Sequence, residues 1–296
     1  MTKEQRREFV YPVDEEQFVD DGLPRKLLSP SQFDRYRKCP RQYEYIYVKG
    51  LRKPPGVAQV KGSSVHKGAE VTHLHTIETG KPLSLEEATQ AVADRWEKDV
   101  KNIEEWIYDD KEVTPGEMKD RAILNFQIYY QQAVPAIHPV AVEKMWAVKI
   151  GSVPVRGIID LIDRVPVDLS KDDEVPTTDM DPEKENFIEV VSDLKVTKRK
   201  WPDSKVREAP QLTFYALAEN VSRVRVDFLL DQKSGTHYKT VRSERTMTDK
   251  RILTEDVEQI AELIKQGVFP RCDPTLTNWV CTPKWCGYYE MCKGPK

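Results

Sequence analysis

The chain has 296 residues, 39% of them hydrophobic and 32% charged, with 20 Pro and 13 Gly. That composition permits a sizeable core and excludes fibrous and wholly disordered classes. The formal charge of -3, from 46 Lys+Arg against 49 Asp+Glu, taken alone argues against a nucleic-acid binder.

Residues 1–27 are polar and read as a loose arm. A helix is predicted from Pro30, with Ser29 as its cap, to about Cys39. The next stretch, 41–48 (RQYEYIYV), either continues that helix or forms a short strand. Arg35 to Lys53 carries Arg35, Arg37, Lys38, Arg41, Lys49, Arg52 and Lys53 against one acid, Glu44; such a cluster is a solvated face or a phosphate-contacting surface. Gly62 to about Ile77 reads as a helix. Ser84-Leu85-Glu86-Glu87 is a capping box opening a long helix whose apolar stripe runs through Ala88, Val92, Trp96, Val100 and Ile103. A second helix is predicted from Thr114-Pro115 to about Ala133, and the stripe of this pair is expected to be core.

The pattern changes at Pro139. Val140–Ile150 and Val153–Asp163 flank Gly151-Ser152 and read as a hairpin. Residues 166–185 hold eight acids and two bases, a local charge of -6, and read as a solvated loop; the remainder then has 44 bases and 41 acids, or +3. Phe187–Lys195 is a strand, Lys205–Asn220 a helix, Val224–Leu230 and His237–Val241 strands, and Thr248–Gln266 a helix. Asp193 to Arg207 is the second basic stretch, with Lys195, Lys198, Arg199, Lys200, Lys205 and Arg207. From 269 onward the chain has Pro, Trp and four Cys without periodicity. The order predicts an α/β fold, a mixed sheet with helices packed on it. No run of 18 apolar residues occurs, so no membrane span is predicted, and MTKEQRREFVYPVDEE lacks an apolar signal core, which predicts a cytoplasmic location.

Three features carry candidate chemistry. Asp160 sits within the apolar strand GIIDLID, and Asp193-Leu194-Lys195 ends another. Residues two apart on a strand share a face, so the Asp193 carboxylate is predicted beside the Lys195 ammonium. An acid in each of two apolar strands needs a partner, either a base or a hard divalent cation. Downstream, Gln211 and Tyr215 are four apart on one helical face. Upstream, Gly62-Ser63-Ser64-Val65-His66 opens a helix, with Glu70 four residues after His66.

The order His66, Asp160, Asp193-x-Lys195, Gln211-x-x-x-Tyr215, with SPSQFDRYRKCPRQYEY and GSSVHKGAE, resembles the RecB-like exonuclease branch of the PD-(D/E)xK nucleases from about Leu28 to Lys293. The likeness extends to the CRISPR-adaptation exonucleases and the AddB-type nuclease domain. It implies a restriction-endonuclease-like core with a central mixed β-sheet, divided here into a Cys/His segment 28–80, a helical insertion 81–137, a catalytic core 138–268 and a Cys-rich tail 269–296. It further implies that His66, Asp160, Asp193 and the Leu194 carbonyl hold Mg²⁺ or Mn²⁺, that Lys195 activates the attacking water, and that Gln211 and Tyr215 support the site. Glu70 and Asp163 are secondary candidates, expected to be salt-bridged.

Of the five cysteines, Cys281, Cys286 and Cys292 form a tight group, and disulfides are disfavoured without a signal sequence. Three thiolates need a fourth to make a metal or cluster site. The resemblance supplies Cys39 and implies a [4Fe-4S] cluster on Cys39, Cys281, Cys286 and Cys292, with Zn²⁺ on the same thiolates as the alternative. The family usually has two residues between the first pair of the trio, against four here, so Cys272 could replace one ligand, although it is expected to be a free thiol.

The sequence is thus read as a metal-dependent DNA exonuclease favouring single-stranded ends. Its expected DNA contacts are Arg35, Arg37, Lys38, Arg41, Lys198, Arg199, Lys200 and Trp201, the last able to stack on a base or pack in the core. No phosphate-binding GxxxxGK[ST] loop occurs, so unwinding would need a separate helicase or recombination partner. The rival readings are a non-catalytic DNA-binding or recruiting subunit and a zinc-stabilised interaction protein. No feature of the sequence specifies an oligomeric state.

Overall fold

The structure, a computed structural model, describes residues 10–12, 22–24, 26–101, 114–167, 187–272 and 281–294. Ile103, Trp279 and nearly all of the predicted acidic loop lie outside them. The elements in chain order are β1 (Val10–Pro12), α1 (Pro30–Lys38), α2 (Pro40–Tyr43), a π-helical turn (Glu44–Val48), α3 (Val57–Thr79), α4 (Leu85–Val100), α5 (Pro115–Gln132), a 3₁₀ turn (Val134–Ala136), β2 (Pro139–Ile150) and β3 (Val153–Pro166). They continue with β4 (Phe187–Thr197), α6 (Asp203–Arg207), α7 (Pro210–Ala218), β5 (Arg223–Gln232), β6 (Gly235–Glu244), α8 (Met247–Lys265) and α9 (Tyr289–Lys293). The α/β architecture expected from the sequence is the one observed.

The chain divides into two compact units. One comprises residues 54–145 and 158–246. Its strands follow the order β2-β3-β4-β5-β6, with β3–β4 and β5–β6 antiparallel and β4–β5 parallel, which makes the sheet mixed. The helices α1, α4 and α5 begin at the predicted caps Ser29, Ser84 and Thr114, whereas α3 starts at Val57, five residues before the expected Gly62. Thr114 Oγ1 accepts from Glu117 N at 3.2 Å while Thr114 N donates to the Glu117 carboxylate at 2.6 Å, a reciprocal box. At Ser84 the hydroxyl accepts from Glu87 N at 3.3 Å and donates to Oε2 of the same Glu at 2.5 Å. The predicted helix 205–220 is instead two, α6 and α7. The break falls at Glu208-Ala209 because Pro210 has no N–H to donate and restricts the residue before it.

Val92 and Trp96 of α4 and Phe126 and Tyr129 of α5 pack with Val65 of α3 against Leu161, Leu194 and Leu229 of the strands, so the predicted stripe is core. The helices approach closely at Gly68, where a Cβ would lie 2.5 Å from Val92 and 2.6 Å from Phe126. Truncating Phe126 to Ala would cost about 3–5 kcal/mol through the cavity left behind. A second group fixes the strands polar-side. Arg225 Nη1 donates to Asp163 at 2.6 Å and its Nε to Asp227 at 3.0 Å; Ser192 and Tyr238 donate to Asp227 at 2.6 and 2.7 Å, and His138 N to Asp163 at 2.8 Å. Asp163 is therefore a salt-bridged structural acid. Removing one partner from such a buried set costs about 3–5 kcal/mol.

The other unit comprises residues 1–53, 146–157 and 247–296. Here β1 pairs antiparallel with the end of β2, and Leu28 bridges Val155. The stretch 41–48, open between helix and strand from sequence, is helical with a π turn. Tyr36 OH donates to Val268 O at 2.6 Å, Arg41 N donates to Pro270 O at 3.1 Å, and Tyr43 stacks on Phe269 with ring centroids 6.0 Å apart. Tyr288 OH donates to Leu51 O. These contacts join α1 and the segment after it to the tail, residues more than 200 positions apart.

Candidate active site

The mixed sheet and α3 gather one group of polar side chains. His66 lies on α3, and its Nε2 is 2.9 Å from the Leu194 carbonyl oxygen. A carbonyl only accepts, so Nε2 carries a proton, and Nδ1 is the nitrogen that faces Asp160 Oδ2 at 3.6 Å and Glu143 Oε1 at 3.9 Å. Ligand atoms of His66, Glu143 and Asp160 lie within 4.8 Å of one another. One nitrogen and two carboxylate oxygens suit a hard divalent cation, and a ligating His that donates its other N–H to a carbonyl is the usual arrangement. Asp160 Oδ2 also accepts from Leu194 N at 3.0 Å, which orients the carboxylate.

Glu143 was not among the residues picked from sequence. Its backbone is left-handed, with φ 45, inside strand β2. That conformation is costly for a residue with a Cβ and is characteristic of functional positions. In sequence it is one acid beside a lysine in a half-exposed strand, and the only available signal is that it lies in the strand preceding Asp160.

The second half of the group follows the predicted spacing. Asp193 and Lys195 share a face of β4, with Lys195 Nζ 2.8 Å from Asp193 Oδ1 and 2.7 Å from Oδ2. Lys195 Nζ also donates to Gln211 Oε1 at 3.4 Å, and Gln211 Nε2 donates to Tyr215 OH at 2.6 Å. Because the ammonium only donates, it fixes the oxygen of Gln211 towards Lys195 and the NH₂ towards Tyr215. The Leu194 carbonyl, expected as a metal ligand, is engaged by His66.

Electrostatics follow burial and charge. Burial raises the Asp193 carboxyl to about 6 against the opposing pull of Lys195. Burial lowers His66, but the neighbouring carboxylates of Glu143, Asp160 and Asp193 outweigh it and carry the imidazole up to about 9, so a cation would take Nδ1 in competition with a proton. Burial raises Tyr215 well above an ordinary phenol, so it serves as a neutral hydroxyl. His66, Glu143, Asp160 and Lys195 line a cleft of about 520 Å³, whose other wall includes Lys67 and Arg95. Glu70 is bridged to Lys67 at 2.8 Å.

The predicted basic contacts divide. Lys198 and Arg199 are exposed just after β4, and Lys200, also exposed, pairs with Asp203 at 2.8 Å. Trp201 is half-buried, edge-on to Phe228 with centroids 5.9 Å apart and with Lys205 Nζ 4.1 Å from its ring centroid. In the other unit Lys38 pairs with Asp34 at 2.5 Å, Arg41 pairs with Glu44, Arg37 covers the Phe33 ring, and Arg35 bonds Gln42.

That unit also contains a cavity lined by Cys39, Cys272, Cys281, Cys286 and Cys292. All five are free thiols. Burial raises the Cys39 thiol, while the backbone N–H groups of Gln42 and Cys272 pull it down. Five cysteines around one cavity supply donors of the kind a four-thiolate Zn²⁺ or iron–sulfur centre uses, although among the described residues the group whose ligand atoms all lie within 4.8 Å of one another is His66, Glu143 and Asp160 and contains no cysteine. Among the described residues no helix is long and apolar enough to cross a membrane.

Comparison with known proteins bears on this geometry. The family model of the PD-(D/E)XK nuclease superfamily matches residues 27–174, half of the chain. The matched span holds Cys39, His66, Glu143 and Asp160, and ends before Asp193. No curated protein matches. Among solved structures the chain is similar to a protein of Eubacterium rectale provisionally named an exonuclease, at 11% identity and TM-score 0.48, covering 88% of this chain and 90% of that one. It is also similar to the protein SSO0001, at 12% identity and TM-score 0.32, covering 80% and 86%.

Proposed function

The chain belongs to the PD-(D/E)XK nuclease superfamily, and from that premise we propose that it is a Mg²⁺- or Mn²⁺-dependent exonuclease acting at single-stranded DNA ends, with a [4Fe-4S] centre on four of its five cysteines. The observation that carries the reading is that the His66–Glu143–Asp160 trio lines one open cleft together with Lys195, whose ammonium is paired with the buried Asp193.

His66 Nδ1 and the Glu143 and Asp160 carboxylates would hold the cation, with Asp193 beside them. When bound, such a cation polarises the scissile phosphate and lowers the pKa of the attacking water. Lys195 places a positive charge where the phosphate gains negative charge, and its ammonium orients the water. Asp193 and Gln211 hold Nζ in place from two sides, and Tyr215 holds Gln211. Lys198 and Arg199, exposed after the strand that bears Lys195, would bind the backbone of the strand being cut, so binding weakens with salt. Any duplex would be opened by a separate helicase or recombination partner.

The test is digestion of end-labelled single- and double-stranded substrates, linear and circular, with Mg²⁺ or Mn²⁺. Progressive loss from linear single strands, sparing circles, is expected. Circles cut as fast as linear strands would remove the exonuclease assignment. Undiminished cutting by Lys195→Ala would remove the site, and a wild-type protein that binds DNA without cutting would leave a recruiting subunit.

A further inference from the structure

Gln42 occupies a position that phosphodiester hydrolysis leaves unexplained. It lies in α2, three residues after Cys39, and is buried at 5% exposure. Arg35 Nη1 donates to its Oε1 at 2.7 Å, and its Nε2 donates to Cys286 Sγ at 3.0 Å, across 244 positions of sequence. The direction of this amide is determined. A guanidinium has donors and no acceptor, so it must face the oxygen, which leaves the NH₂ for the sulfur. An N–H aimed at sulfur stabilises negative charge there, the state in which a cysteine binds metal.

A simple brace between α1 and α2 would need only the Arg35–Gln42 half of this relay. The other half reaches a cysteine of the tail that lines the five-thiol cavity. Partners of this kind orient metal ligands, and hydrogen bonds to sulfur tune a thiolate-held centre.

We infer that Gln42 is a positioning residue of the thiol centre, directing an N–H to Cys286, and that Arg35 sets the direction of that amide instead of contacting DNA phosphate. This rests on the four-thiolate reading of the cavity proposed above. It requires only that the centre is held by thiolates, whether with Zn²⁺ or with iron and sulfide.

The experiment titrates Co²⁺ anaerobically into reduced, metal-free, full-length protein and follows thiolate-to-metal charge-transfer absorption; a second arm reconstitutes with ferrous iron and sulfide and follows cluster absorption. Wild type is compared with Gln42→Glu, Gln42→Leu and Arg35→Lys. Gln42→Glu keeps the shape and strengthens the pairing with Arg35, so a brace would survive it with an unchanged or higher melting temperature. The inference expects that variant, despite such a melting temperature, to bind Co²⁺ on the order of 10–100-fold more weakly. Gln42→Leu should also weaken binding, and Arg35→Lys, which keeps a donor, should stay close to wild type. Wild-type affinity and spectra in both Gln42 variants would reduce Gln42 to a brace and overturn the inference. A wild-type protein taking up neither probe would remove the thiol centre itself, and the inference with it, while Mg²⁺-dependent cutting, assayed separately, would stand.

Discussion

His66 donates from Nε2 to the Leu194 carbonyl at 2.9 Å, joining α3 to β4 across 128 positions of sequence. The bond turns Nδ1 to the carboxylates of Asp160 and Glu143. Three ligands of one ion should then respond alike. His66→Ala, Asp160→Asn and Glu143→Gln are each expected to weaken Mn²⁺ binding on the order of 10–100-fold, measured by calorimetric titration. Asp193→Asn should lose more in cutting than in Mn²⁺ affinity, because its carboxylate is shared with Lys195. Unchanged affinity in Glu143→Gln would return the third ligand to Asp193.

Gln211 stands between Lys195 and Tyr215. Replacing it with Leu keeps the helix and removes a restraint on Nζ. A small misplacement of a group acting on the transition state can cost up to about 100-fold in rate. The single-turnover rate of Gln211→Leu is expected to fall by about 10–100-fold with little change in DNA affinity, and Tyr215→Phe should fall less. Equal losses in binding and rate would instead make Gln211 a DNA contact.

His73 is buried beside the Tyr129 hydroxyl, 2.7 Å from Nε2. Burial, the largest effect, lowers its pKa from 6.5 to about 4. The unfolded chain therefore takes up a proton that the folded chain refuses between those values. The contribution of His73 to stability is complete above pH 6.5 and is lost as pH falls towards 4, worth roughly 3 kcal/mol over the window. Urea unfolding of wild type and His73→Gln at pH 7 and pH 4.5 isolates it: the variant should lose less stability on acidification. Parallel pH dependence in the two proteins would contradict the assignment.

Five thiols line one cavity, and the proposed centre needs four. Serine at Cys39, Cys281, Cys286 or Cys292 is expected to abolish metal retention, whereas Cys272→Ser should keep it. Metal content after anaerobic purification decides the matter. The neighbouring positions of Cys39 and Cys272 make the reverse result informative, since loss in Cys272→Ser would exchange the two roles.

What could be read from the chain depended on the range of each signal. Asp193 and Lys195, two apart on a strand, and Gln211 and Tyr215, four apart on a helix, meet because their spacing equals the local period. His66 and Asp160 carry no such local mark and were placed by the resemblance of their order. Trp96 and Val92 showed themselves as a buried stripe. Glu143 escaped because alternation assigns it to the side opposite the buried Trp146, Val148 and Ile150, and its left-handed backbone is not a preference of glutamate. The split of α6 from α7 is legible in Pro210, which interrupts a 205–220 stretch that otherwise suits one helix.

The backbone of Glu143 also constrains how this chain can evolve. At φ 45 a glycine would shed about 1–2 kcal/mol of steric cost, making it the replacement that the local fold most favours. It is also the replacement that deletes a carboxylate from the trio. A mutational search for a hardier protein would be drawn to that position and would remove a carboxylate of the candidate cation site, so stability and the proposed activity are opposed at a single codon.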